Sequence, residues 1–119
     1  MRIIGGDLKG KKLAAPKGTD IRPSADRLRE AVFNILANSL QGATVLDLFA
    51  GTGAFGIEAL SRGAIYSVFI DNKKKALALL NRNIFACKLN GQSRVIRWDI
   101  TKNISCIQDH QPPFDLVFM

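Results

Sequence analysis

Three acids and three glycines carry most of the chemistry this sequence offers. Asp47 stands in an apolar run, residues 44–49 (T-V-L-D-L-F), that leads into Gly51, Gly53 and Gly56. Asp71 lies twenty residues beyond Gly51, and Asp99 follows a later apolar stretch. An apolar run, a glycine turn and then an amphipathic segment is how an open α/β sheet holds a nucleotide-sized ligand. The glycines let the backbone turn sharply and approach the ligand, and the helix N-terminus aims its free N–H groups at it. An acid at the distance of Asp71 accepts bonds from ribose hydroxyls, a device shared by NAD and S-adenosylmethionine sites. The glycine spacing alone fits either cofactor. Asp47 separates them: a pyrophosphate is doubly negative, and an acid on the strand entering the glycines would repel it. S-adenosylmethionine has no phosphate, and its ammonium and sulfonium would be favoured by a nearby carboxylate. Asp99 is placed to bond an adenine amino group.

The elements that must position these residues follow from periodicity. Residues 2–15 read as two short extended pieces around a glycine-containing turn, a small hairpin. Residues 16–23 are a connector punctuated by Gly18 and two prolines. Ser24 serves as an N-cap with Asp26 in the first turn, and Leu28, Val32, Ile35, Leu36 and Leu40 recur at helical spacing. The spacing predicts a helix from Ser24 to about Leu40, ending near Gly42. Strand–helix alternation then begins: a strand over about 44–49, a helix from about Ala54 to Arg62 stopped by Gly63, and a strand from Tyr66 to Asp71. Asn72 caps a long helix through Ile84 and Leu89 to a stop at Asn90 and Gly91. Strands follow over Arg94–Trp98 and, after a turn-rich connector, Phe114–Met119. Such alternation needs right-handed crossovers and gives a mostly parallel sheet with its ligand at the strands' carboxyl ends.

Length and composition allow one domain. The 119 residues are 47% hydrophobic and 23% charged, as expected of a soluble globular chain, and no apolar run approaches the ~20 residues of a bilayer span. The N-terminus lacks a secretory signal's apolar core, so Cys87 and Cys106 read as reduced cytosolic thiols. No metal-ligand spacing is present. The net charge is +7, and residues 1–29 hold eight basic groups against three acids. That excess reads as a folded arm for a polyanion, most plausibly nucleic acid, in preference to a merely solvated face.

The segment D-L-F-A-G-T-G (47–53) resembles the first motif of class I S-adenosylmethionine-dependent methyltransferases. M-R-I-I-G-G at the N-terminus, R-P-S-A-D-R-L-R-E-A-V-F-N-I-L (22–36) and G-I-E-A-L-S-R-G-A (56–64) narrow the likeness. Together they resemble the bacterial guanine-N2 methyltransferases of 16S rRNA along essentially the whole chain. The resemblance implies a Rossmann-like methyltransferase fold, a partial parallel sheet of order 3-2-1-4, with an N-terminal β-hairpin and helix. Residues 1–23 would be the basic arm and connector and 24–119 the cofactor-binding part of a single incomplete domain. It implies S-adenosylmethionine as cofactor and ribosomal RNA, or the assembling small subunit, as partner in the cytoplasm. By resemblance Asp47 and the backbone of Phe49, Ala50, Gly51 and Gly53 would hold the methionine portion. Asp71 and Asn72 would lie at the ribose, and Asp99 and Ile100 at the adenine. Lys9, Lys11, Lys12, Arg22 and Arg27 would meet RNA, the two arginines near the target-base pocket.

One departure bears on activity. After a strand like F-D-L-V-F-M the family continues with Asp-Pro-Pro and an aromatic residue, expected just beyond Met119. The 119 residues alone are therefore expected to bind cofactor weakly or not at all and to transfer methyl groups slowly or not at all. The last strand is expected to leave an apolar edge open to self-association. His110, in a proline-flanked connector, reads as solvated. Two rival readings remain: a non-catalytic RNA-binding module with the same fold, marked by salt-sensitive RNA binding without a cofactor response, and a fragment of an NAD-dependent oxidoreductase.

Overall fold

The computed structural model describes residues 1–16, 23–108, 110 and 112–119. Four parallel strands, β1 (Thr44–Leu48), β2 (Tyr66–Asp71), β3 (Ser93–Arg97) and β4 (Leu116–Phe118), lie in the order β3-β2-β1-β4. This is the Rossmann-like sheet order that the sequence implies. Three helices connect them: α1 (Pro23–Ile35) before the sheet, α2 (Ala54–Ser61) after β1 and α3 (Lys74–Ala86) after β2. The strand order reverses between β1 and β4, which places a crevice at the carboxyl end of β1.

Period-two alternation assigns the two sheet faces. Val45 of β1 and Phe69 of β2 bury against α1, α2 and α3 and against Ile3 and Leu13 of the N-terminal arm. Leu46, Val68 and Ile70 point the other way and are covered by Trp98, Ile100, Ile107 and Phe114 from the connector ahead of β4. Asp47 shares its register with Phe69 and Phe118. It therefore lies on the helical face, beneath the start of α2. Phe118 joins Phe33 and Phe55 in a triangle of rings with centroids 5.4–5.9 Å apart, tying β4 to α1 and α2.

The arm is a hairpin in outline but forms a single antiparallel bridge, Arg2 to Lys12, in place of two strands. Turn bonds hold it, among them the Gly10 N–H to the Ile3 carbonyl (2.8 Å) and the Leu13 N–H to the Met1 carbonyl (2.8 Å). Its lysines are exposed, while Ile3 and Leu13 anchor it in the core.

Helix ends differ from the sequence reading for identifiable reasons. α1 starts at Pro23, whose fixed φ and missing N–H suit the first helical position, so Ser24 lies inside the first turn and is not the cap. It ends at Ile35, five residues early. Residues Ala37–Ser39 tighten into a 3₁₀ turn, from which Leu40 enters the core and continues the apolar spacing without the helix. Lys73, not the expected Asn72, stands at the cap of α3, where the Asp71 carboxylate takes the Lys73 N–H (2.9 Å). The helix stops at Ala86, ahead of the expected stop at Asn90 and Gly91. The Leu89 N–H bonds the Ile84 carbonyl and the Lys88 N–H bonds the Phe85 carbonyl, both at 3.0 Å, with Lys88 at φ +58°. That is a Schellman ending with lysine where glycine is usual; α2 ends the same way with Gly63 at the left-handed position. β3 keeps the expected five residues but starts one earlier, at Ser93, and β4 has three residues where Phe114–Met119 was expected, as edge strands are often short. Residues 17–22 of the expected 16–23 connector, and with them Arg22, lie outside the described residues.

Candidate cofactor site

The turn after β1 is built in three steps. Phe49 leaves the strand with φ +55° and a side chain 62% exposed. The Ala50 N–H then bonds the Ile70 carbonyl (3.0 Å), pinning the loop to β2, and Gly51 follows at φ +56°. The three glycines do different things. A Cβ on Gly51 would meet open space, so this residue faces outward. A Cβ on Gly53 would come within 2.4 Å of Leu80, and one on Gly56 within 2.3 Å of the Phe69 ring. Those two glycines let α2 pack closely against α3 and β2. The glycine signal in the sequence is thus mostly a helix–sheet packing signal.

The loop's N–H groups are already engaged by carboxylates. Asp47, 4% exposed, accepts the Gly56 N–H at 3.0 Å. Asp71, last in β2, accepts the Gly51 N–H at 3.0 Å with one oxygen and the Lys73 N–H with the other. Burial pushes the Asp47 carboxyl up to about 7; the Gly56 N–H works against that shift, and the nearby Asp71 charge adds to it. Asp99 lies two residues past β3, partly exposed, and is held by Thr101. The Thr101 hydroxyl and its N–H hold the Asp99 carboxyl below its ordinary range.

Two clefts open on either side of Phe49. A small one, about 140 Å³, is lined by Phe49, Asp71, Asn72, Asp99 and Ile100 together with Ile70, Trp98 and Thr101. It continues into a wider opening of about 500 Å³ bounded by Arg97, Lys102 and Asn103. The other, about 410 Å³, is lined by Asp47, Phe49 and Ala50 and by apolar groups of α1, α2 and β4, among them Leu28, Phe55 and Phe118. Asp71, Asn72, Asp99 and Ile100 thus line one cleft and Asp47 and Ala50 the other, with Phe49 common to the rims of both. Gly53 is buried and lines neither. Lys9, Lys11 and Lys12 on the arm and Arg27 on α1 are exposed away from the lining of both clefts.

Residues that the sequence reading left without a role hold the arm to this site. Glu58, fully buried in α2, accepts the N–H groups of Ile4 and Gly5, each at 2.9 Å, and pairs with Arg62 at 2.8 Å and Arg29 at 3.5 Å. Arg29 also donates to the Arg2 carbonyl. It is 3% exposed, so this member of the N-terminal basic cluster is an internal strut and not a polyanion contact. Asn83 of α3 takes the Ala14 N–H (2.7 Å) and donates to the carbonyls of Ala14 and Thr52 (3.1 and 2.9 Å), coupling the arm to the glycine loop. A Glu among the apolar residues of α2 with Arg62 four positions later was the one signal available in the sequence. The partners on the arm are more than fifty residues away and left none.

His110 is half-buried, not fully solvated. It stacks on Phe114 (4.4 Å between centroids) near Tyr66, at the amino ends of β2 and β4 and so opposite the glycine loop. Both cysteines are free thiols. Among the described residues no group of three His, Cys, Asp or Glu side chains is placed to hold a metal, and no helix is long and apolar enough to cross a membrane.

A family model described as Conserved hypothetical protein 95 matches residues 1–119. The chain is 38% identical over 119 residues to Ribosomal RNA small subunit methyltransferase D of Escherichia coli K12, covering all of this chain and 58% of that protein. It is 36% identical to YlbH of Bacillus subtilis, covering 65% of it. It thus spans about three-fifths of the length of these relatives. Among solved structures, yhhF of Escherichia coli superposes with a TM-score of 0.74 at 39% identity, covering 86% of this chain and 54% of that one. SMU.776, solved in complex with SAH, superposes at 0.62 and 28% identity over 75% of this chain and 24% of that one.

Proposed function

Because the chain belongs to the Conserved hypothetical protein 95 family, we propose that it supplies the S-adenosylmethionine-binding part of a ribosomal RNA methyltransferase acting on the exocyclic N2 of a guanine in small-subunit rRNA. One observation carries the cofactor reading: the loop N–H groups that a pyrophosphate would need already bond Asp71 and Asp47. The two clefts present carboxylates at the ends of β1, β2 and β3, so they suit a cationic ligand and disfavour a dinucleotide.

On this reading Asp71 and Asn72 take the ribose and Asp99 the adenine amino group, with Phe49 and Ile100 bounding the adenosine in the small cleft. Asp47 faces the amino-acid portion across the loop, where an ammonium would keep its carboxylate ionised. The bound cofactor supplies an electrophilic methyl group on a sulfonium. On the same reading the cleft between α1 and β4, walled by Phe49, Phe55 and Phe118, takes the target base. A guanine amine is a poor nucleophile because its lone pair is delocalised into the ring. Holding it in line with the methyl group is the main contribution the walls can make. Lys9, Lys11, Lys12 and Arg27 are exposed to meet the RNA, and Arg22 belongs to the same proposal.

Equilibrium dialysis of the chain with S-adenosylhomocysteine and with NAD tests the cofactor. Weak retention of the first and none of the second is expected, and the reverse would revive the oxidoreductase reading. Salt-sensitive RNA binding with neither cofactor retained would favour the non-catalytic module. The base is tested by nucleoside mass spectrometry of small-subunit rRNA from cells lacking the gene. One N2-methylguanosine should disappear, and an unchanged nucleoside profile would overturn the assignment.

A further inference from the structure

The chain's positive charge is concentrated where composition does not reveal it. Residues 72–98 contain Lys73, Lys74, Lys75, Arg82, Lys88, Arg94 and Arg97 and not one Asp or Glu. Helix surfaces ordinarily interleave acids at i,i+4 spacing, and α3 has none to offer. Among the described residues, every ion pair belongs to Arg29 or Arg62 and none to this stretch. Lys75 and Arg82 are exposed and seven residues apart, which puts them on one face of α3 about 10 Å apart.

The arm crosses that face. Asn83 grips both backbone groups of Ala14, and this sets Lys12 beside Arg82. Between arm and helix runs a groove of about 290 Å³ lined by Lys12, Leu13, Ala14, Arg82, Asn83 and Ala86. Its rim is cationic and two of its lining residues are alanines, so a sugar–phosphate backbone fits. Beside it Phe85, three residues past Arg82, holds its ring 75% exposed. A helix lying on a membrane would turn a continuous apolar face outward. Here a lone aromatic stands among cations, the pattern by which proteins stack an unpaired base.

We propose that the groove between the arm and α3 is a second RNA contact, in which Lys12, Lys75 and Arg82 hold phosphates and Phe85 stacks an unpaired base. This rests on the reading of the partner as RNA but locates a surface apart from the cofactor rim. Binding of a fluorescein-labelled single-stranded RNA of mixed sequence, followed by anisotropy across a salt series, tests it. The Lys75→Gln/Arg82→Gln double variant keeps helix propensity. It should weaken binding and flatten the slope of log affinity against log salt by about 1.4, at about 0.7 per phosphate contact. Phe85→Ala should cost roughly fivefold to a hundredfold in affinity, at about 1–3 kcal/mol per stacked base, and leave the salt slope unchanged. Both variants should keep the parent's circular dichroism and S-adenosylhomocysteine response. Unchanged slope and affinity in folded variants of an RNA-binding parent would overturn the groove while leaving the cofactor and RNA readings intact. A parent that ignores RNA, or that uses these residues to bind phosphatidylglycerol vesicles instead, would overturn both the groove and the RNA reading.

Discussion

Replacing Asp47 by Asn should make the fold more stable at alkaline pH and less stable in acid. Asp47 is 4% exposed, and the Gly56 N–H is its only hydrogen-bond partner among the described residues. Burial raises its carboxyl from 3.8 to about 7, with Asp71 adding repulsion. A carboxyl raised in the folded state stabilises the fold fully below pH 3.8, where both states are protonated. That contribution is lost as pH rises through about 7. At about 1.4 kcal/mol per pH unit, the ionised group carries an upper bound of ~4 kcal/mol above pH 7. The Asn side chain retains an acceptor for Gly56 but brings an amide NH₂ that needs a partner, at a cost of about 1–3 kcal/mol. A net gain of roughly 1–3 kcal/mol at pH 8 is expected, giving way to a loss of about 1–3 kcal/mol below pH 4. Urea denaturation of both proteins at several pH values reads the difference, and titrations common to the two cancel. A difference that does not grow with pH would refute the argument. The same substitution should weaken binding of S-adenosylhomocysteine, since the charge facing its ammonium is gone. Binding by the parent should strengthen as pH rises toward 7 and level off above it.

Other expectations concern the supports of the site. Glu58→Ala leaves two arginines and two N–H groups without their buried partner, so a loss of about 3–5 kcal/mol is expected in urea denaturation. Asn83→Ala should cost about 1–3 kcal/mol and speed hydrogen exchange at the Ala14 N–H, which would lose its acceptor. Gly56→Ala should destabilise by about 1–3 kcal/mol because its Cβ would press on Phe69 at 2.3 Å, whereas Gly51→Ala, in open space at φ +56°, should cost only about 1 kcal/mol. Lys88→Gly should raise the thermal midpoint, relieving about 1 kcal/mol at the left-handed end of α3.

Strand content was legible where side chains bury on both faces. Tyr66–Asp71 was bounded to the residue, and strand–helix alternation gave a parallel sheet, while its order 3-2-1-4 came with the family resemblance. Helix ends were less legible, because Leu40 and Leu89 keep the helical spacing from positions outside the helices. Asp47, Asp71 and Asp99 were identifiable as candidates because each stands at or near the carboxyl end of an expected strand. Which loop N–H each would engage was not, since those bonds depend on the turn. The charge reading was incomplete in an instructive way. The eight basic groups counted in residues 1–29 include Arg29, which is buried against Glu58, while the acid-free stretch 72–98 passed unnoticed. Linear density does not distinguish a strut from a contact.

Amide chemical shifts recorded during titration with S-adenosylhomocysteine test the central claim most directly, because they register weak binding and its location together. The account predicts progressive shifts at Gly51, Asp71, Asn72, Asp99 and Ile100, with Gly53 responding less and NAD producing none of them. Shifts absent from those amides at saturating ligand, or reproduced by NAD, would contradict it.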